Sequence, residues 1–244
     1  MNLDPLREVC SKHILSESQP SLVVFREPYI PYVPSDWNGV LVLAESQNLA
    51  KAEHPHRSEL GAMNERERID RLYNNDGIRR VGPWDDGHLK MAVELLGFDP
   101  ERTAVSNAVP WTVDGGQRNR NPDETLRQCA VKFWSDIIPL MSSAESKILV
   151  ITSGAVARNV MKEVVGKERF DLVQIVSSSP NNLGRVAGLF HEQDMLRRYG
   201  EAEPVIKRNK LVANQQTVFF ACHVLSMKAK YAALLEAREH RSAS

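Results

Sequence analysis

Cysteine is scarce in this chain, with three residues in 244: Cys10, Cys129 and Cys222. Three thiols cannot pair completely, and none sits in a Cys-x-x-Cys. That excludes a disulfide scaffold and reads as reduced thiols in a cytoplasmic protein. Long hydrophobic runs are missing too. The longest, Ile148-Leu149-Val150-Ile151-Thr152 and Thr217-Val218-Phe219-Phe220-Ala221-Cys222, are strand-sized, far short of the ~18 residues that mark a membrane helix. Residues 1–20 carry Asp4, Arg7, Glu8, Lys12 and His13 without an apolar centre, which predicts no secretory leader. Charge of one sign is absent: Lys plus Arg is 31 and Asp plus Glu is 31, which argues against a protein that coats nucleic acid non-specifically. A local excess does exist, with seven Lys/Arg against two Glu over residues 205–244. There is no G-x-x-x-x-G-K-[ST], no G-x-G-x-x-G after a strand, no G-x-S-x-G and no H-E-x-x-H, so the common phosphate-loop, dinucleotide, serine-hydrolase and zinc-protease signatures are excluded. Glu53-His54-Pro55-His56 reads as a solvated loop, and no metal is expected.

What remains is an ordinary globular composition, 42% hydrophobic and 25% charged. A helix is expected over residues 5–15. Pro28, Pro31 and Pro34 then impose an extended, non-helical path up to Gly39. Val40-Leu41-Val42-Leu43-Ala44 is continuous, β-branched and bounded by Gly39, the mark of a strand buried on both faces. Further strands are expected at 103–109, 147–152, 172–176 and 217–221. Helical spacing appears between them, at Leu89 to Leu96, at Leu126 to Ile138, over 155–165 and over 227–240. Strands alternating with helices imply right-handed βαβ crossovers. The expected fold is a single three-layer α/β/α domain over 1–244, with a central, mainly parallel sheet of four to five strands and an N-terminal helix and Pro-rich segment in 1–38.

Ligands of such sheets bind at the carboxyl ends of the strands. Glu45-Ser46-Gln47-Asn48 follows the first strand. Asn107 and Pro110-Trp111 end the second, and Ser153-Gly154 the third. Ser177-Ser178-Ser179-Pro180-Asn181-Asn182 follows the fourth, and His223 the fifth.

In that order the segments resemble the uracil-DNA glycosylase superfamily, most of all the branch whose first motif reads Gly-Glu-Ala-Pro-Gly. Ala44-Glu45-Ser46-Gln47-Asn48 matches that motif. Gly82-Pro83-Trp84-Asp85-Asp86-Gly87-His88-Leu89 is similar to the family's aromatic-containing segment. Val105-Ser106-Asn107-Ala108-Val109 resembles its Thr-Asn-Val-Val strand, and Arg118-Asn119-Arg120-Asn121-Pro122 its Asn-Arg-x-Pro loop. The likeness spans residues 38–165; the ordered set carries it, not any single motif. The family's second motif, His-Pro-Ser, has no direct match. Either Ala221-Cys222-His223 or the stretch from Ser177 to Asn182 could stand in for it. The branch's iron–sulfur cysteines are also missing. Only Cys129 occupies such a position and Trp111 stands where another would be, so no cofactor is expected.

The resemblance implies a monofunctional DNA repair enzyme that hydrolyses the N-glycosidic bond of uracil, favours single-stranded DNA and acts as a monomer away from membranes. Such an enzyme draws the base out of the helix, stabilises negative charge on the departing base and places a water. On that reading Glu45 and Ser46 are the candidates for the water and His223 for donation to uracil O2. Asn107 reads the base, with Gln47, Asn48 and Ser179 lining its pocket and Trp84 stacking on it (Tyr73 second). Arg118, Arg120 and Asn181 contact the DNA strand. The altered first motif keeps an alternative open: a protein of the same fold that binds, or covalently traps, uracil or abasic DNA without turnover.

Overall fold

The computed structural model describes residues 4–16, 23–49, 59, 61–64, 66–68, 84, 86–114, 124–142, 146–178 and 192–242, with backbone only for 46–49, 114, 192 and 238–242. The elements run α1 (Asp4–Lys12), β1 (Val40–Leu49), α2 (His88–Leu95), β2 (Ala104–Asp114), α3 (Glu124–Met141), β3 (Ile148–Ser153), α4 (Ala155–Glu163), β4 (Phe170–Ile175), α5 (Glu192–Arg208), α6 (Gln215–Lys230) and α7 (Ala232–Ser242). The four strands form one all-parallel sheet in the order β2-β1-β3-β4. Helices α3 and α4 pack together and against β1 and β2, with α1 laid on α3; α2, α5 and α6 form the other group, with α6 against β4. This is the expected three-layer architecture.

The apolar runs explain the sheet. Val40 to Ala44 on β1 and all six residues of β3 are buried, as a central strand covered on both faces requires. β1 and β2 run further than their apolar stretches, and the polar residues 45–48 remain in the ladder. The register shifts there: Ser46 pairs with Val109 but Gln47 with Thr112, so Pro110 and Trp111 are extra residues on β2. Such a bulge is where a proline, lacking an N–H, fits in a strand. The outer edge of β2 is covered by the Pro-rich segment. Val23 bridges Val113 and Tyr32 bridges Val105, both antiparallel, and the Tyr29 N–H donates to the Pro110 carbonyl at 2.7 Å. Pairing of this kind closes an edge that would otherwise be open to a second chain.

The fifth expected strand is a correction. Residues 217–221 belong to α6, not to the sheet. Thr-Val-Phe-Phe-Ala has strand composition, but a short apolar run does not by itself distinguish a strand from a buried helix. Two features decide for helix. The Asn214 side chain caps the helix by accepting the Thr217 N–H at 2.9 Å. The buried positions Thr217, Phe220, Ala221, Val224 and Leu225 follow helical spacing. The closing helix expected over 227–240 is instead the end of α6, a break at Tyr231, and α7. Helix α5, absent from the expected set, carries Pro204 and buries chiefly Ala202 and Ile206.

Candidate functional site

The chain passes from β1 to β2 in one direction across the sheet and from β3 to β4 in the other. The crevice of such a sheet lies where that direction reverses, here at the carboxyl ends of β1 and β3. Glu45 stands there. It is the sixth residue of β1 rather than part of a loop after it, and its carboxylate crosses to the start of α4. The Val156 N–H donates to Glu45 Oε1 at 3.3 Å, so the negative charge sits at the positive end of the helix. Gly154 makes the approach possible. Its φ of 98° and ψ of 175° belong to a region open essentially to glycine. A Cβ built there would stand 2.2 Å from Glu45 Oε1. The carboxylate therefore caps α4 and locks the β1 and β3 rims together.

Asn107 lies within β2, opposite Ala44 of β1. Because strand side chains alternate, Asn107 and Glu45 point to opposite faces of the sheet. Asn107 is fully buried, and neither Nδ2 nor Oδ1 has a partner. The neighbouring Ser106 Oγ and Trp111 Nε1 are likewise buried and unpaired. Leaving such groups without a partner costs about 1–3 kcal/mol each, so this short section of β2 concentrates unmet hydrogen-bonding capacity.

His223 is not at a strand end. It lies in the middle of α6, where its Nε2 accepts the Val176 N–H at 3.1 Å, just past β4. That bond requires the proton on Nδ1, so Nε2 is not available as a donor. Burial pushes the imidazole pKa down to about 4, which leaves it neutral near pH 7. Gln216, also on α6, donates to the Ser178 carbonyl at 2.6 Å. Together the two side chains clasp the end of β4. His223 lines a cavity of about 330 Å³ at the carboxyl ends of β3 and β4, with Gly154, Gln174, Ser177, Arg158, Lys230 and Tyr231 among its walls. Asn107 is not among them.

Trp84, expected to stack on the base, is a buried ring. It is 7% exposed, and the Lys90 ammonium lies 5.6 Å from its ring centroid, occupying one face. Of the remaining expected site residues, Ser46, Gln47 and Asn48 are placed by backbone alone, in the β1–β2 ladder. Tyr73, Arg118, Arg120, Ser179 and Asn181, and the stretch from Glu53 to His56, lie outside the described residues. Among the described residues no cluster of His, Cys, Asp and Glu could hold a metal, and no helix is long and apolar enough to cross a membrane.

The structure thus brings Glu45 to the α4 terminus and His223 to the β4 end, with Gly154 touching both the Glu45 carboxylate and the His223 cavity, and leaves Asn107 in the interior of β2 on the other face of the sheet from Glu45. Sequence reasoning missed Gly154 as the glycine that admits Glu45, and Arg158 and Lys230 as cations of one cavity. Gly154 was legible as a glycine at a strand–helix junction; the other two carry no local signal. No protein-family model and no curated protein matches the chain.

Proposed function

We propose that this chain is a uracil-DNA glycosylase that hydrolyses the N-glycosidic bond, with Asn107 as the group that reads the base. One observation carries the reading: a fully buried amide with both polar atoms unpaired, on β2 of a three-layer parallel α/β fold. Desolvating an amide without partners is costly, and the cost falls away when a ligand supplies them. Uracil presents an acceptor at O4 and a donor at N3–H, which match Nδ2–H and Oδ1. Cytosine presents the reverse pair, and each mismatched buried group would cost about 1–3 kcal/mol. With Glu45 engaged at α4, Ser46 is the remaining candidate of its segment for orienting the water. With His223 Nε2 engaged by Val176, charge on the departing base falls to other donors, and the loop from Ser177 to Asn182 becomes the better stand-in for the family's second motif. The test is incubation with end-labelled uracil oligonucleotides, single- and double-stranded, followed by alkali. Scission at the uracil position, lost in Asn107→Asp, is the expected result. No scission at stoichiometric enzyme on either substrate would overturn it.

A second reading has its own support. Two of the three side chains expected to do chemistry, Glu45 and His223, are held by backbone N–H groups. A protein that binds uracil or abasic DNA without turnover would need neither. Saturable retention of the uracil oligonucleotide without base release would favour this reading.

A further inference from the structure

We propose that the cavity between α4, the end of β4 and the last turn of α6 is a second ligand site, one that takes a phosphate-bearing ligand of mononucleotide size. At about 330 Å³ it falls in the range of small-molecule sites, and it lies at strand carboxyl ends, where sheets of this kind bind ligands. Its charge is of one sign. Among its described walls Arg158 and Lys230 are the charged residues, and none of the described walls is a carboxylate. Both cations are uncommitted: the Arg158 Nε donates to the neutral Asn159 Oδ1 at 3.3 Å, and the Lys230 ammonium lies 5.5 Å over the Tyr231 ring. Elsewhere the described cations commonly meet carboxylates, as Lys207 meets Glu203, Arg127 meets Glu124 and Arg68 meets Glu27. An unpaired guanidinium and ammonium facing one cavity therefore stand out.

The anion this geometry fits is not held by the start of α4, because Glu45 already occupies that end. It is held by the two side chains. Arg158 offers a planar fork suited to phosphate oxygens, and Lys230 a point charge. His223 adds no charge, being neutral by burial. Beside the polar Gln174 and Ser177, the wall has an apolar and aromatic part formed by Ile175, Met227 and the Tyr231 ring, which suits the sugar and base behind a phosphate and exceeds what a bare oxyanion fills. The ligand is either a free nucleotide or one nucleotide of a DNA strand, and the phosphate chemistry is common to both.

The site stands apart from Asn107, and its test uses no uracil, so its failure and that of the glycosylase reading are read separately. The full chain is titrated calorimetrically with thymidine monophosphate, thymidine and inorganic phosphate. A uracil-free single-stranded oligonucleotide then competes against the monophosphate. Saturable binding of the monophosphate is expected, at least tenfold tighter than thymidine or inorganic phosphate. R158Q and K230Q should each weaken it about tenfold, and the double variant should lose it. K132Q, an exposed lysine on α3, should bind as the parent does. Urea melts of all variants establish that they are folded. Competition by the oligonucleotide assigns the site to a DNA strand, and its absence assigns it to a free nucleotide; both outcomes support the proposal. Equal binding of thymidine and its monophosphate, equal binding of inorganic phosphate, no saturable binding, or R158Q and K230Q variants that bind as the parent does would each overturn it.

Discussion

The two halves of the sheet treat their buried polar groups in opposite ways. At the β1–β3–β4 rim the carboxylate, imidazole and amide that stand out are each committed. Glu45 accepts from the start of α4, His223 accepts from the backbone just past β4, and Gln216 holds the Ser178 carbonyl. On β2, Ser106, Asn107 and Trp111 are buried with nothing to bond. The first half is built for stability. The second carries an energetic deficit, and such a deficit is what a ligand with matching donors and acceptors would relieve. Residue type alone would not have separated the halves: a carboxylate and an imidazole look more catalytic than an amide.

The largest effect should come at the tightest point of the committed half. Gly154→Ala places a methyl against Glu45 Oε1 and forces alanine into a glycine-only backbone region. Strain and overpacking of about 2 kcal/mol each sum to a loss of about 4 kcal/mol, read in urea melts. In a Glu45→Ala background the overpacking half should vanish and the backbone half remain. An equal loss in both backgrounds would mean that Glu45 does not approach Gly154.

Next comes the pH dependence of the clasp on β4. The His223 pKa is about 4 in the folded chain against 6.5 in the free side chain. The unfolded chain therefore binds more protons between those values, and stability rises with pH across that window. The contribution is fully present above about pH 6.5, is lost progressively as pH falls towards 4 and is gone below it. The shift corresponds to at most about 3 kcal/mol. His223→Gln should flatten this part of the stability–pH curve. A variant whose curve overlays the parent's would show that the imidazole is not buried against Val176.

The third prediction reverses sign. Asn107→Leu removes an unpaired amide and fills its place with carbon, so stability should rise by about 1–3 kcal/mol while uracil release disappears. The matched His223→Leu should lose about 1–3 kcal/mol, because it strands the Val176 N–H. A loss at both positions would erase the contrast between the halves.

The sheet was legible because buried parallel strands announce themselves as continuous β-branched runs, and Val40 to Ala44 and Ile148 to Thr152 do so plainly. The error at 217–221 came from the same rule applied where it is blind, since a helix buried on a broad face can open with Thr-Val-Phe-Phe. α5 escaped because its buried stripe is thin, chiefly Ala202 and Ile206 amid charge. For the candidate site, residue types could be read but commitments could not. The bond between His223 and Val176 joins positions 47 residues apart and that between Glu45 and Val156 positions 111 apart; no local pattern encodes either. The lack of partners around Asn107 is a property of packing.

The smallest effect is also the one that best separates a cap from a catalyst. Glu45→Gln keeps an oxygen to accept the Val156 N–H and removes only the charge. As a cap, Glu45 contributes the attraction between a carboxylate and a helix start, about 0.3–1 kcal/mol, so the variant should melt slightly earlier and release uracil within about twofold of the parent. As the base that activates water it would contribute about 100-fold or more, and the variant would be nearly inert at almost unchanged stability. The two roles thus predict opposite pairings of a small and a large number from one substitution. The geometry, with the carboxylate turned to the α4 side of the sheet and Asn107 to the other, leads us to expect the first.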